Sequence, residues 1–464
     1  MKNKRYMIIL SITILTLIFS ATSIQAAEYN LKGLIKEGLN NNLDIKQLAN
    51  DIETIKRDIE LSKSRSDWQA DLNLNKVLIE EDAIEVGKDN DKINISINKK
   101  TSEDNISLNP TASYDFDGSE VIYGLNIKMN VYPDLPSENI NSLISLNNQL
   151  NQKKKELNTK KAELIKGWID KYLQLVRLEE DLNILEERLE LAETNYAELK
   201  EKAEIDEAGQ PELLEGEADL KDAEYNLKEV EQQYSQLKNS LLNSLQIDKS
   251  SDIILDTEVK TLASLKEKTQ NIDLDELNKE QLIDNIVKTS SKFTANINQK
   301  SFLKKELNWL QKEDSPQVSV EGSYDSQTDF SASLNISYNI FDSGVNELEI
   351  ENKKQEIEDN ELALTQLYQE TEANLENLID RIELAKMDLT RNELQYDKAV
   401  DETDIASRQY HSGAIEEAVL INKKLNKKSA QVNLKRANDD LFINNLDLLI
   451  MTEPADVVEE VNNR

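Results

Sequence analysis

The sequence predicts a mainly α-helical fold with a small β-sheet component, built as two copies of one structural plan. The chain has 464 residues but only 11 Gly and 6 Pro, so it offers few turn positions and favours long helices. Two strand-like runs share one pattern: LNIKMNVY begins at Leu125, and LNISYNIF begins at Leu334, which is 209 positions later. Two much longer segments carry apolar residues at coiled-coil spacing among charged ones.

The composition excludes several classes of function. The net charge of -34 repels phosphate backbones, so no nucleic-acid partner is expected. Cysteine is absent, which rules out disulfides, thiol catalysis and cysteine-ligated metals. The acidity is compatible with a saline habitat or with cationic cargo, and composition alone does not separate the two.

The N-terminus predicts export. Lys2, Lys4 and Arg5 precede an apolar stretch, Met7 to Phe19, and small residues follow up to Ala27. This order is typical of a signal peptide spanning 1–27, and a membrane-anchoring helix is the alternative. No later run of 18 apolar residues occurs, so membrane insertion of the mature chain would have to use strands.

An internal duplication organises the rest of the chain. LIKEGLNNNLDIKQ, from Leu34, matches LIDNIVKTSSKFTA, from Leu282, at an offset of 248, and the strand runs match at 209. We therefore predict a first repeat at 28–247, an equatorial connector at 248–277, a second repeat at 278–447 and a tail at 448–464. The predicted elements are helices at 31–67 and 278–312, strands within 68–133 and 316–341, long helices at 137–207 and 345–411, and return helices at 212–247 and 414–447.

The strands are predicted to be two-faced, because apolar and polar residues alternate with period two. Strands of nine to twelve residues are long enough to cross a bilayer at a tilt. The polar insert at 79–119 reads as a solvated loop, although NISIN (94–98) within it has a strand pattern. The predicted lipid-facing residues are Leu125, Ile127, Met129, Val131, Leu334, Ile336, Tyr338 and Ile340. The predicted lumen-facing residues are Asn126, Lys128, Asn130, Asn335, Ser337 and Asn339.

Three quoted pieces together resemble the TolC-type outer-membrane efflux family across the whole mature chain. They are YNLKGLIKEGLNNNLDIKQ at the mature start, the strand-to-helix passage LNISYNIFDSGVNE, and the turn-and-return YHSGAIEEAVLINKKL. The resemblance implies a homotrimer in which each chain gives four strands to a 12-stranded barrel and its long helices to a periplasmic α-helical tunnel. It also implies outer-membrane lipid around the barrel, and docking onto a periplasmic adaptor and an inner-membrane pump of RND, MFS or ABC type, or a type I secretion machine.

The resemblance further implies an acidic aperture just past the helical turns. An aspartate of that region falls on Glu215, whereas the second-copy pair falls on Val419 and Asn422, so that pair is not reproduced. Nearby carboxylates could replace it. The candidate aperture residues are Glu212, Glu215, Glu416, Glu417 and Asn422, and the candidate adaptor-docking glycines are Gly209 and Gly413.

Simpler interpretations stand beside these. The glutamates could be ordinary charged helix surface, and each glycine could be a plain helix stop. His411, the only histidine, is read as an exposed bystander rather than a pH sensor. Trp68 and Trp309 could mark a membrane boundary or could pack in the helical layer.

No catalytic constellation, phosphate loop or metal cluster occurs in the sequence, so no cofactor and no enzymatic activity are expected. The expected function is a passive export channel. A periplasmic adaptor or a secreted structural coiled coil is the alternative. An adaptor would have one helical hairpin and glycine-containing β domains, and a coiled coil would not need two amphipathic strand pairs.

Overall fold

The fold was analysed in a computed structural model. The structure describes residues 28–65, 67–75, 92–100, 106–115, 120–133, 135, 138–256, 262–270 and 278–462. These residues form two compact units, one from residues up to Lys46, Lys160–Leu277 and Asn377 onward, the other from Gln47–Thr159 and Asn278–Glu376. The predicted signal peptide lies outside the described residues.

The helices are mostly long, and the mainly α-helical fold with a small β component is confirmed. Among the described residues, none of the helices has an apolar stretch that could span a bilayer. The helices are α1 (Leu31–Asn41), α2 (Leu43–Arg65), α3 (Glu138–Glu204), α4 (Gln210–Leu245), α5 (Ala263–Gln270), α6 (Lys279–Thr289), α7 (Ser291–Glu313), α8 (Val345–His411), α9 (Glu417–Thr452) and α10 (Pro454–Asn462).

Matching helices of the two repeats have the same length. The pairs α1 and α6, α2 and α7, α3 and α8, and α4 and α9 contain 11, 23, 67 and 36 residues respectively. The predicted return helix at 414–447 instead runs to Thr452, and α10 occupies most of the predicted tail. Equal lengths over four element pairs support the duplication read from the sequence.

Each predicted first helix is interrupted, which the sequence analysis missed. The predicted helix at 31–67 breaks at Asn42, and the one at 278–312 breaks at Ser290, 248 positions later. The Asn42 side chain accepts a hydrogen bond from the Ile45 N–H at 3.1 Å, and the Ser290 hydroxyl accepts one from the Phe293 N–H at 3.4 Å. Asn and Ser cap helix starts well, so each residue ends one helix and begins the next.

One antiparallel sheet contains six strands in the order β2-β3-β4-β5-β7-β8, and a separate two-residue parallel pair joins β1 and β6. The prediction of four sheet strands per chain is therefore wrong. The strands are β1 (Glu28–Tyr29), β2 (Gln69–Asn75), β3 (Lys92–Lys100), β4 (Ile106–Asp115), β5 (Glu120–Tyr132), β6 (Asp252–Ile253), β7 (Gln317–Asp325) and β8 (Asp329–Ser337).

The two extra strands come from the insert that was predicted to be a loop. The segment 94–98 lies inside β3, which pairs with β2 and with β4. Strand β4 pairs in turn with β5 over ten residues. Alternation in NISIN outweighs the polar composition of the insert, because a sheet needs only one apolar face.

Apolar side chains of all six strands share one face of the sheet. Leu72 is opposite Ile95, Ile95 is opposite Ala112, and Ala112 is opposite Tyr123. Most large apolar side chains on this face are exposed within the single chain. The exposed ones are Leu72, Ile95, Val121, Tyr123, Leu125, Ile127, Met129, Tyr132, Val320, Tyr324, Phe330, Leu334 and Ile336.

The predicted alternation of faces is observed within the strands except at Val131, which lies in a bulge between Asn130 and Tyr132 and has no partner on β7; β8 also ends earlier than expected. Asn126, Lys128, Asn130, Asn335 and Ser337 alternate with these apolar residues and lie on the opposite face. The strand stops at Ser337, so Tyr338, Asn339 and Ile340 lie outside it and their predicted orientation does not apply to the single chain.

The two tryptophans have different surroundings. Trp68 is 53% exposed beside β2, with the Lys99 ammonium 5.1 Å from its ring centroid. Trp309 packs edge-on against Phe302 within α7, at 6.2 Å between ring centroids. The packing interpretation therefore fits Trp309, and an exposed boundary residue fits Trp68.

A carboxylate starts the long helix α8. Asp342 accepts hydrogen bonds from the N–H groups of Gly344 (2.9 Å) and Asn346 (2.8 Å), which lower its pKa. Ser343 and Gly344 both have positive φ, 61° and 81°, which makes the turn tight. The Asp-Ser-Gly sequence thus forms a tight turn directly before α8 begins at Val345.

The main core lies in the unit that contains α1 and α4. Leu241, Leu242 and Leu245 are fully buried there with Trp168, and each such leucine contributes about 1.5–3 kcal/mol by leaving water. Gly38 permits this packing, because a Cβ there would lie 2.4 Å from the Leu245 side chain and 2.7 Å from the Trp168 ring. The backbone of α1 at Gly38 therefore lies directly against the Leu245 side chain of α4.

Candidate aperture at the helical turns

The turns after the two long helices have the same backbone geometry. The Glu207 N–H donates to the Lys202 carbonyl at 2.8 Å, and the Ala414 N–H donates to the Gln409 carbonyl at 2.8 Å. The residue before each donor has a left-handed backbone, with φ of 60° at Asp206 and 72° at Gly413. Both turns are therefore Schellman motifs, which terminate a helix by satisfying its last carbonyl groups.

This geometry corrects the alignment of the two turns. The sequence suggested that Gly209 matches Gly413, whereas both long helices end, and both return helices begin, 207 residues apart. Asp206 therefore matches Gly413, and Gly209 matches Glu416. Only Gly413 supplies a left-handed conformation, whereas Gly209, at φ -85°, is the N-cap of α4.

Glu212 has a local structural role. Its carboxylate accepts a hydrogen bond from the Gly209 N–H at 2.8 Å, which satisfies one of the free donors before α4. Glu416 occupies the matching N-cap position of α9, without a side-chain capping bond. Glu212 is therefore a capping residue of α4 and not only a charged residue of the helix surface. The hydrogen bond holds its carboxylate beside the Gly209 N–H.

Four of the five candidate aperture residues line one cavity. Glu212, Glu215, Glu416 and Asn422 border a space of about 630 Å³ between α3, α4 and α9. Glu417 is exposed on the first turn of α9 and is not among the lining residues. The charged lining consists of six carboxylates and two cations: Glu198, Glu212, Glu215, Asp219, Asp222 and Glu416, with Arg188 and Lys202.

The excess of carboxylates makes the cavity electronegative, and such a lining favours cations. Sequence reasoning missed Asp219 and Asp222, which follow Glu212 and Glu215 at helical spacing on α4. That spacing was the available signal. Gly216, also missed, lies against Leu199 of α3, since a Cβ there would be 2.6 Å from the leucine methyl group.

A ladder of polar contacts joins α3 to α9 above the cavity. Because the two helices run antiparallel, residue numbers increase along α3 while those of their partners decrease along α9. The contacts are Lys166–Asp447 (2.6 Å), Arg177–Asp439 (2.8 Å), Glu180–Lys435, Asp181–Arg436, Glu187–Lys428 (2.6 Å) and Arg188–Asn426 (2.8 Å).

The centre of the ladder is buried. The Arg177 and Asp439 side chains are 6% and 8% exposed, and Arg177 also binds Glu180 at 2.8 Å. Burial disfavours the charge of Arg177, but its hydrogen bonds to Asp439 and Glu180 outweigh that effect and raise its pKa. Burial likewise opposes ionisation of Glu180, yet Lys435 and Arg177 lower its pKa. Both pKa shifts therefore favour the ionised forms of Arg177 and Glu180.

Other chemistry is not evident in the part of the chain that the structure describes. That part contains no cluster of three or more side chains suited to holding a metal ion. His411 is exposed beside the second turn, with Nδ1 2.6 Å from the Ser407 carbonyl oxygen. This contact is local to one helical turn.

Comparison with known proteins gives a consistent result at the level of structure. No protein-family model matches the sequence, and no curated protein matches it significantly. VceC, an outer membrane protein of Vibrio cholerae, is 11% identical with a TM-score of 0.57 over 91% of this chain and 95% of VceC. MtrE, an outer membrane channel of Neisseria gonorrhoeae, is 13% identical with a TM-score of 0.59 over 93% of each chain. CusC is 12% identical with a TM-score of 0.60 over 91% of each chain.

These similarities cover nearly the whole of each protein. The chain therefore has the fold of the TolC-type outer-membrane channels, as the sequence resemblance implied. The number of strands in the sheet, six, follows from the strand pairing within this chain.

Proposed function

We propose that this protein is an outer-membrane channel, the passive exit conduit of a tripartite efflux pump or a type I secretion system. The observation that carries the proposal is the six-stranded sheet, whose apolar face is exposed within a chain of the channel fold. An exposed apolar face of this size is unfavourable in water and favourable in lipid. The helices then extend from the outer membrane into the periplasm.

The internal repeat supports assembly with further copies of the chain. Within one chain, α3 of the first repeat contacts α9 of the second through the polar ladder. The equivalent contact would join α8 to α4; within the described residues no hydrogen bond or ion pair joins these two helices, so we expect the contact between different copies. A head-to-tail contact of this kind closes into a ring, and the channel fold favours a ring of three.

The residues on this unpartnered surface fit such a contact. The positions on α8 equivalent to Arg177, Glu180 and Glu187 lie 207 residues later. They are Leu384, Met387 and Leu394, which are 64%, 69% and 67% exposed. Exposed apolar residues of α4 include Leu214 and Tyr225, at 56% and 66%. On α8, apolar residues thus replace the charged ones of α3, as expected of a surface that a second copy covers.

Leu214 and Tyr225 have informative counterparts inside the chain. They match Ile421 and Val432 of α9, and both of those pack in a small apolar cluster with Ile184 of α3. The seam between copies would therefore reproduce the seam within the chain, with larger apolar contacts and fewer ion pairs. Burying five large side chains per seam supplies a driving force for assembly.

A crosslinking experiment tests the assembly. The chain has no cysteine, so introduced cysteines report only the chosen contact. Leu394→Cys with Lys221→Cys places one thiol on α8 and one on α4. After treatment with a short bismaleimide in native membranes, we expect covalent species up to three chains. Fractionation should find the protein in the outer membrane, and mild detergent should release a trimer.

The matched control uses the equivalent contact inside the chain. Glu187→Cys with Lys428→Cys lies 207 residues from the first pair on each helix, and the native side chains meet at 2.6 Å. This pair should crosslink within a single chain and add no mass corresponding to a second one. Extraction of a monomer by osmotic shock without detergent would contradict the channel proposal.

The cavity at the turns is proposed as the lining of the periplasmic aperture, with the two turns as the adaptor-docking surface. Three copies would bring three sets of carboxylates around one axis, which would favour cations. In planar bilayers, Glu215→Gln should lower the cation-to-anion permeability ratio. Glu417→Gln removes an equal charge outside the cavity lining and should change the ratio less. Equal effects would contradict the assignment of Glu215 to the aperture.

A further inference from the structure

The hairpin formed by β3 and β4 is continuous with the rest of the sheet. Asp71 of β2 is opposite Ser96 of β3, and Asn109 of β4 is opposite Asn126 of β5. The hairpin therefore separates β2 from β5, which the sequence analysis expected to be neighbours. Its apolar residues share the apolar face described above, so it is built for the same environment as the other four strands.

We propose that three copies close these sheets into an 18-stranded barrel, in which β8 of each copy pairs with β2 of the next. The proposal rests on the proposed channel function and departs from the 12 strands that the resemblance implied. Among the described residues, β2 and β8 each pair along one edge only. Open edges are not tolerated in lipid, and pairing between copies removes both.

The internal repeat also predicts the register of this pairing. Strand β5 ends the first repeat's part of the sheet, and it pairs with β7, which begins the second repeat's part. Adding 209 to the residue numbers of β5 gives β8, and subtracting 248 from those of β7 gives β2. The equivalent pairing therefore joins β8 of one copy to β2 of a second copy. Lys128 opposite Glu321 then becomes Ser337 opposite Asn73 of the second copy.

The same equivalence accounts for the early end of β8. Met129 and Tyr132 of β5 are paired with Val320 and Val318, and the equivalent positions after β8 are Tyr338 and Phe341. Both are exposed in the single chain, by 54% and 82%. A second copy's β2 would extend β8 through them, so they gain a ladder partner only on assembly.

An 18-stranded barrel is considerably wider than a 12-stranded one. With strands about 4.8 Å apart and tilted by about 40°, the diameter between backbones rises from about 24 Å to about 36 Å. Barrels of 16–18 strands leave an open aqueous channel. Away from the strand ends, the hairpin residues on the lumen face are neutral and polar: Asn94, Ser96, Asn98, Ser107, Asn109, Thr111 and Ser113; the register places Lys92, Lys100 and Asp115 on this face at the strand ends. The mouth would therefore accommodate bulky hydrophilic cargo.

Disulfide formation between introduced cysteines tests the strand order. Directly opposed residues of neighbouring strands have Cα atoms about 4.5–5.5 Å apart, which suits a disulfide. Asp71→Cys with Ser96→Cys should link β2 to β3 within one chain. Asp71→Cys with Asn126→Cys should form no disulfide, because a link would require β2 to lie directly beside β5. That arrangement would correspond to the second repeat, where Ser319 is opposite Asn335. Peptide mapping by mass spectrometry distinguishes the two.

A third pair tests closure. Ser337→Cys with Asn73→Cys should form disulfides between copies in the outer membrane, giving covalent dimers and trimers. Ser331→Cys with Asn73→Cys uses the same face of β8, six residues out of register, and should not. These outcomes together support 18 strands.

Other results overturn the proposal in distinguishable ways. A detergent-stable trimer in which Asp71→Cys links to Asn126→Cys would leave the channel function intact and refute the inserted strands. A trimer with the β2–β3 link, but with no Ser337–Asn73 link between copies, would refute the closure. A protein found only as a soluble monomer would overturn the channel function and the barrel together.

Discussion

The buried ion pair between Arg177 and Asp439 makes a specific prediction about stability. Asp439→Leu removes the 2.8 Å partner of a guanidinium that is 6% exposed, and also the carboxylate 3.5 Å from Lys266. Arg177 then keeps only Glu180. Removing one member of a buried pair leaves an uncompensated buried charge, which costs about 3–5 kcal/mol. Because Glu180 remains, we expect a loss at the lower end, about 3 kcal/mol.

The measurement is urea unfolding of the detergent-solubilised protein, followed by circular dichroism at 222 nm. A double-mutant cycle with Arg177→Met separates the cost of the stranded charge from the value of the pair. The double variant, Arg177→Met with Asp439→Leu, should be more stable than Asp439→Leu alone, since it buries no unpaired charge. A coupling free energy near zero would refute the assigned role of the pair.

An exposed contact of the same ladder is the matched control. Glu187 and Lys428 meet at 2.6 Å, but each side chain is 48% exposed. Exposed pairs contribute about 0–1 kcal/mol, so Lys428→Met should cost less than about 1 kcal/mol. If Asp439→Leu costs no more than Lys428→Met, burial does not govern the ladder and the reasoning fails.

Three further predictions use the same unfolding measurement. Asp206→Gly should stabilise the protein by about 1 kcal/mol, because φ at Asp206 is 60° and glycine adopts that conformation without strain; a loss of stability would contradict the Schellman assignment. Gly38→Ala should destabilise by about 1–3 kcal/mol, since its Cβ would overlap buried side chains, whereas Gly167→Ala, with open space around its Cβ, should stabilise by about 0.5–1 kcal/mol. Partial desolvation, reinforced by the nearby Asp170, Asp439 and Asp388, raises the pKa of Asp440 although its side chain is exposed in the single chain, so the folded state holds this proton to higher pH and stability falls as pH rises from about 4. Asp440→Asn should therefore stabilise at pH 7, with a gain that shrinks as pH falls towards 4; a gain independent of pH would contradict this account.

The sequence by itself was sufficient to identify the repeated plan and the long helices. Val345–His411 was predicted at its observed bounds, because apolar spacing over 67 residues without glycine or proline leaves no alternative to a helix. Apart from Val131, which lies in a bulge, the side of the sheet on which each strand residue lies followed from period-two alternation. Of the five aperture candidates chosen for their position beside the turns, four line one cavity and Glu417 does not.

Other features depend on contacts that a sequence pattern does not encode. The hairpin β3–β4 was missed because the polar, acidic composition of the 79–119 insert was read as a loop, whereas the strands are stabilised by pairing with β2 and β5. Gly209 and Gly413 were matched by residue type, whereas the structure matches them by backbone geometry, with Asp206 in the left-handed position. The end of β8 is set by whether a partner strand continues beside it. Local chemistry determined where helices and strands form, and the tertiary structure decided their number, register and ends, because those depend on which backbone groups find partners.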